Sequence, residues 1–305
     1  MPSGGRRLSV YEPSTAWARR SGAHRPVGAA ALPQAVPPGA ADPRGTQSGE
    51  STFAQASAAC CVGGTFGGMA DDHESDLAGG ASGIRVVRVG HTVRRPLHRN
   101  SAFVHALLLH LEAVGFEGAP RFLGIDEEGR EILSYVEGRV YPGVDEIDDP
   151  VSILSDEHLV SASQLIRRFH DATSGSTLAG EAEVVCHPDL GQHNIVFQGS
   201  KAVAIIDWDA DVAPGPRVRD FAHAVWSLAE IGRQGGAIDE QARRTRLLCY
   251  AYGWDDPAAV IDEIGARFRR AIAWHTANHK PAAARIFTDM ADWIDLNGPL
   301  LKSHL

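Results

Sequence analysis

The chain has 305 residues, 44% hydrophobic and 22% charged, a balance typical of a globular fold with one large or two small domains. A formal charge of −9 excludes the basic footprint of a sequence-blind nucleic-acid binder, and no apolar run approaches the roughly 18 residues of a membrane helix. Four cysteines are too few for a disulfide framework; Cys186 and Cys249 sit in apolar runs that predict buried thiols and a reducing cytoplasm, while Cys60 and Cys61 are adjacent in the first segment.

Residues 1–68 are rich in Ala, Gly, Pro, Ser and Arg without a sustained apolar period, which predicts disorder. They carry six Arg against three acids, so the remainder, with 35 acids against 23 Lys and Arg, is distinctly acidic. The leader lacks the amphipathic period of a transit peptide and the apolar core of a secretory signal, and Met69 is the expected natural start.

From Ile84, IRVVRVG and HTVRRP read as a hairpin turning at Gly90 and His91, with Pro96 ending the second strand. Asn100 or Ser101 then caps a helix whose apolar positions Val104, Leu107, Leu108, Leu111 and Val114 share one face, closed by Gly115. RFLGID and EILSYV make a second hairpin around Glu127 to Arg130, and EGRVYPG reads as a linker. Ser155 opens a helix with Leu159, Ala162, Leu165, Ile166 and Phe169 on its apolar face. Beyond the central stretch the pattern is helical, with Phe221, Val225, Leu228 and Ile231 as one face and Trp254, Trp274 and Trp293 expected in the core. The expected architecture is α+β: after the leader, a reduced small mixed lobe over 69–138 and a larger, mainly helical lobe over 139–305.

The chemistry concentrates between Val184 and Trp226. Phosphoryl transfer to a hydroxyl needs a carboxylate near the nucleophile and a divalent metal held by oxygen ligands. Asp189 supplies the first, and Asn194 with Asp207 the second. Asn194 opens the apolar run IVF and Asp207 follows the run AVAII, with Gln198 to Lys201 as the turn, so a hairpin returns both to one open end, able to share one Mg²⁺. Asp209 and Asp211 are alternative ligands, and His193 reads as a solvated or turn histidine.

HPDLGQHN fits the kinase catalytic-loop form H-x-D-L-x-x-x-N, with Pro188 where Arg is common, and IIDWD stands in the place of D-F-G. With RRFHDAT before the loop and RVRDFAHAVW after it, the chain resembles the aminoglycoside phosphotransferase and choline kinase-like families. The resemblance covers Leu165 to Leu228 and, more thinly, Ile84 to Val136. It implies a protein kinase-like two-lobe fold, ATP as co-substrate with Mg²⁺, Asp189 as catalytic base, Asn194 and Asp207 as metal ligands, and His187 as a loop-shaping residue. Asp220 would brace the loop backbone; its alternative role is simply to cap the Phe221 helix.

The first lobe departs from that pattern. LAGGASGI precedes the first expected strand, so a glycine loop between two strands is missing or shortened. The nucleotide-pairing Lys is replaced by Arg94 or Arg95, which strand alternation points to opposite faces, so only one can enter the cleft. The helix offers Glu112 only near its end and His105 nearer its middle. The expected partner is a small-molecule hydroxyl. Asp255, Asp256, Asp262, Glu263, Asp289, Asp292 and Asp295 would either receive a cationic ligand or simply face water. The alternative is a catalytically inactive ligand-binding or immunity protein on a kinase scaffold. Protein kinase activity is disfavoured, because VAPGPRVR is too short for an activation loop and no A-P-E segment follows.

Overall fold

The computed structural model describes residues 74–77, 85–141, 154–209 and 211–305. The expectations for residues 1–68, for Met69, Cys60 and Cys61 and for Ile84 lie outside them.

The first expected hairpin forms as β2 (Val87–Val89) and β3 (Thr92–Pro96), paired antiparallel across Gly90 at φ +57°. Helix α1 (Ser101–Ala113) follows, then β4 (Phe122–Ile125) and β5 (Arg130–Ser134), which turn through Gly129 at φ +77°. A strand that the sequence does not announce, β1 (Ser75–Asp76), pairs with β2, and the sheet order is β1-β2-β3-β5-β4. This corrects the placing of the glycine-rich stretch: residues 78–84, themselves outside the described set, join two paired strands instead of preceding the first one. Local propensity hides β1, because its surroundings are acidic. Arg85 and Arg130 fix it from outside by pairing with Glu74 and Asp76.

Val104, Leu107, Leu108 and Leu111 are fully buried as expected, whereas Val114 is 51% exposed. The helix stops at Ala113 and Gly115 turns the chain at φ +76°, so Phe116 takes the core position instead. The described part of the expected linker, residues 137–141, is not free: Arg139 exchanges two 2.8 Å backbone hydrogen bonds with Phe197, and Val136 and Val140 pack on Val196, Ala204 and Ile206.

The second part begins with α2 (Asp156–Thr173), where Ser155 and His158 form a capping box with His in the usual Glu place. All five expected apolar positions of α2 are buried. Strands β6 (Val184–Cys186) and β9 (Ala213–Gly215) pair with each other, and β7 (Ile195–Gln198) pairs with β8 (Lys201–Ile205) through Gly199 at φ +60°. Helices α3 (Arg217–Leu228), α4 (Ile238–Tyr252), α5 (Pro257–Ala277) and α6 (Pro281–Ser303) complete it. One apolar cluster runs from Val104 on α1 to Leu301 on α6. Trp254 and Trp293 pack against it, but Trp274 is 53% exposed and stacks instead under Lys280, whose Nζ lies 4.7 Å from the ring centre. Cys186 and Cys249 are buried free thiols; burial pushes Cys249 up to about 12, so neither is a nucleophile at neutral pH.

Candidate active site

The loop after β6 is fixed from behind. Asp220, 1% exposed in the first turn of α3, accepts the His187 backbone N–H at 2.8 Å and meets His170 Nε2 at 2.9 Å. Tyr252 in turn meets His170 Nδ1 at 2.6 Å. Since α3 starts at Arg217 behind Pro216, Asp220 is not the helix cap, and loop bracing is the role the structure gives it. His187 Nε2 donates to the Ile206 carbonyl at 2.9 Å and its ring packs edge-on to Trp208, which ties the loop to the segment after β8.

Asp189 stands at the mouth of this frame. Its Oδ2 accepts from Asn194 Nδ2 at 3.0 Å and faces His193 Nε2 at 3.2 Å; its Oδ1 lies 3.4 Å from His223 Nε2. Burial alone would raise this carboxyl, but the imidazoles of His193, His223 and His187 outweigh it and hold Asp189 well below the usual carboxylate range. It is therefore an ionised acceptor at neutral pH. His193 is thus not a bystander of the turn: Gly191 lacks the Cβ that would collide with its ring, so the ring folds back onto Asp189.

The β7–β8 hairpin acts as the ruler the sequence suggests. Ile195 opposes Ile205, and the Ile206 N–H donates to the Asn194 carbonyl at 2.9 Å, so Asn194 and Asp207 sit at the same open end. Asp207 holds φ +64°, a left-handed conformation costly for a residue with a Cβ. Trp208, 1% exposed between Phe169 and His187, anchors it. Burial and then Asp209 push the Asp207 carboxyl well above its usual range. Asn194 Oδ1 is buried without a hydrogen-bond donor among the described residues. An orphaned amide oxygen beside an undercompensated carboxylate is the donor set a hard divalent cation takes, so these residues fit Mg²⁺.

Of the two arginines, Arg95 enters the cleft. Arg94 turns away to Asp126 at 3.5 Å. Arg95 NH1 lies 3.2 Å from Asp207 Oδ1, its NH2 donates to the Trp208 carbonyl, and its Nε donates to Glu131. Glu131, fully buried on β5, also meets His105 Nε2 of α1 at 2.8 Å. One guanidinium thus serves two buried carboxylates, Glu131 and Asp207. The acidic partner of the cleft cation comes from a strand; Glu112 only approaches Arg121 at 3.9 Å. Above this network lies an apolar cleft lined by Leu77, Val86, Val93, Leu133, Val196 and Ile206, with Arg95 and Asp207 at its polar end.

Sequence reasoning missed Glu131, His223 and the bracing role of His170, and weighed His105 only as a mid-helix alternative to Glu112. Only the glutamate carries a trace, as the acid at the start of an otherwise apolar strand. Asp211 pairs with Arg99, and of the seven acids between Asp255 and Asp295 that the sequence singles out all but Glu263 are exposed, with Asp262, Glu263 and Asp295 paired to Lys302, Arg270 and Arg269.

A trifolitoxin immunity protein from Rhizobium leguminosarum bv. trifolii is 34% identical over 201 residues, 58% of this chain and 73% of that protein. The sequence profile of the phosphotransferase enzyme family matches residues 154–260. The chain belongs to the phosphotransferase enzyme family. A solved phosphotransferase of that kind, aminoglycoside 2'-phosphotransferase-IIIa as its GDP complex, aligns with a TM-score of 0.53 at 12% identity, over 75% of this chain and 94% of that one. That likeness shows the protein kinase-like fold. A choline/ethanolamine kinase family protein from Mesorhizobium loti aligns at TM-score 0.48 and 16% identity, over 76% and 89% of the two chains. Family and fold together support a kinase-type activity.

Proposed function

We propose that the protein transfers the γ-phosphate of ATP to a hydroxyl of a small molecule, with Asp189 as the base. The observation that carries the reading is the convergence of an ionised Asp189, the orphaned Asn194 oxygen and the buried Asp207 at one end of the β7–β8 hairpin. Asp189 takes the hydroxyl proton as the oxygen attacks phosphorus. Asn194 and Asp207 would hold Mg²⁺, which, when bound, neutralises phosphate charge. Arg95, steadied by Glu131 and His105, faces the phosphates while the apolar cleft receives the base. His187 keeps the loop in shape, and Asp220 braces it from behind.

The test is calorimetric titration of the full chain with ATP and with GTP, in Mg²⁺ and without it, beside Asp207→Ala. Binding is expected to require both Mg²⁺ and Asp207. In an acceptor screen, Asp189→Asn is expected to lower turnover about 10²-fold or more; turnover indifferent to both substitutions would sink the reading. The 34%-identical relative named as an immunity protein motivates a second one, a ligand-holding protein on this scaffold without chemistry. Multiple-turnover phosphorylation of any acceptor refutes it.

A further inference from the structure

Three residues of α3 meet the catalytic loop, each at a different point. Asp220 accepts the His187 N–H at 2.8 Å, Ser227 Oγ accepts the Gln192 N–H at 3.3 Å, and between them His223 Nε2 lies 3.4 Å from Asp189 Oδ1. Spacings of three and four residues put all three on one helix face, and none is more than 2% exposed. The outer two fix the loop backbone on either side of the base. The middle one meets the reacting carboxylate itself.

The two oxygens of that carboxylate are not equivalent. Oδ2 accepts from Asn194 Nδ2 at 3.0 Å and faces His193 Nε2 at 3.2 Å, whereas Oδ1 faces His223 alone among the described residues. A carboxylate oxygen has two acceptor sites, so Oδ2 is filled and Oδ1 keeps one open. The Asp189 side chain is 17% exposed, which leaves that site reachable. His223 is held by its edge-on packing to Trp226 at 5.4 Å, and Trp226 by Phe268 of α5 at 5.6 Å. Burial keeps the imidazole well below its usual range, so it is neutral and carries one N–H. Its Nδ1 has no hydrogen-bond partner among the described residues and its Nε2 faces an anion, which sets the N–H on Nε2. At 3.4 Å that N–H stands just outside hydrogen-bond range, as catalytic contacts often do before the reacting complex tightens them.

We propose that His223 is the positioning residue of the catalytic base: through its Nε2–H it holds Asp189 Oδ1, so that Oδ1, and not Oδ2, takes the acceptor's proton. The proposal rests on the phosphotransfer reading and deepens it by naming the reacting atom. As the acceptor oxygen bonds the γ-phosphorus, its O–H bond breaks, the proton passes to the open site of Oδ1, and the γ-phosphorus parts from ADP. With Oδ2 held by Asn194 and Oδ1 by His223, the carboxylate is locked against rotation, and its one open lone pair keeps a fixed aim at the acceptor.

Two measurements test it. In the first, ¹⁵N spectra of the histidine rings are recorded on the nucleotide-free full chain, with the His223 signal assigned by its loss in His223→Gln. An N–H on Nε2 is expected, its proton moving upfield and exchanging faster with water in Asp189→Ala. An N–H on Nδ1, or an Nε2–H indifferent to Asp189→Ala, overturns the contact, and this arm needs no turnover. In the second, ADP release from MgATP is followed with water as the acceptor. His223→Phe keeps a ring to pack on Trp226 but has no donor; it is expected to lower kcat about tenfold and leave the KM for MgATP unchanged. His223→Gln, whose amide N–H can replace the lost donor, is expected to recover part of that loss. An unchanged kcat, a loss confined to KM, or Gln no better than Phe overturns the role. Absence of ADP release from the unaltered chain, with water or with any acceptor of the screen, would instead fail the phosphotransfer reading, and with it any part for His223 in the reaction, even where the spectra show the contact.

Discussion

Glu131 decides how the first lobe meets the second. It is fully buried between Arg95 and His105, and Arg95 in turn reaches Asp207. Replacing it by Gln leaves a buried guanidinium short of charge, at a cost of about 3–5 kcal/mol. Urea unfolding measures that loss, and weaker MgATP binding should accompany it; a Glu131→Gln variant of unchanged stability and affinity would show the network to be idle. Asp207 makes a second prediction. Burial raises its folded pKa, so the folded state holds the proton more tightly than the unfolded chain. Its contribution to stability is greatest at low pH and is lost as pH rises from the ordinary carboxylate value, about 3.9, through the raised folded value. Mg²⁺ competes with that proton. The rise in Tm produced by Mg²⁺ should therefore grow with pH across this window and vanish in Asp207→Ala; a pH-independent shift would disprove the link.

Three elements meet at Asp220: α3 carries it, α2 supplies His170, and the catalytic loop supplies the His187 N–H. A helix-cap role would predict a loss of about 1 kcal/mol on Asp220→Ala. Two hydrogen bonds to a buried carboxylate predict about 3 kcal/mol or more, with a fall in turnover because the loop that aims Asp189 is released. Denaturant midpoints and turnover measured together separate the two. The acid directly before the apolar face that opens at Phe221 was legible as a helix-start feature; that it turns inward was not, because that depends on a histidine 50 residues earlier in the chain.

Across the whole molecule, Phe169 is the joint. It packs on Phe116, which follows α1, and edge-on to Trp208 beside the metal-ligand candidate Asp207. Phe169→Ala should cost about 3–5 kcal/mol and lower MgATP affinity together with stability, because the cavity opens beneath the Asp207 turn. A variant that loses stability while binding MgATP normally would show that the core does not position that turn.

What the sequence determined by itself was everything set by spacing along one strand or helix. The apolar period of α2 fixed its buried face, and the lengths of β7 and β8 returned Asn194 and Asp207 to one end. Alternation along β3 sent Arg94 and Arg95 to opposite faces. Tertiary structure alone decided which arginine entered the cleft, that its acidic partner came from β5, and that β1 paired with β2. It also decided that His223 faced the second edge of Asp189. These are contacts between residues distant in the chain, where local propensity is silent and only the shared burial of charges selects the partner.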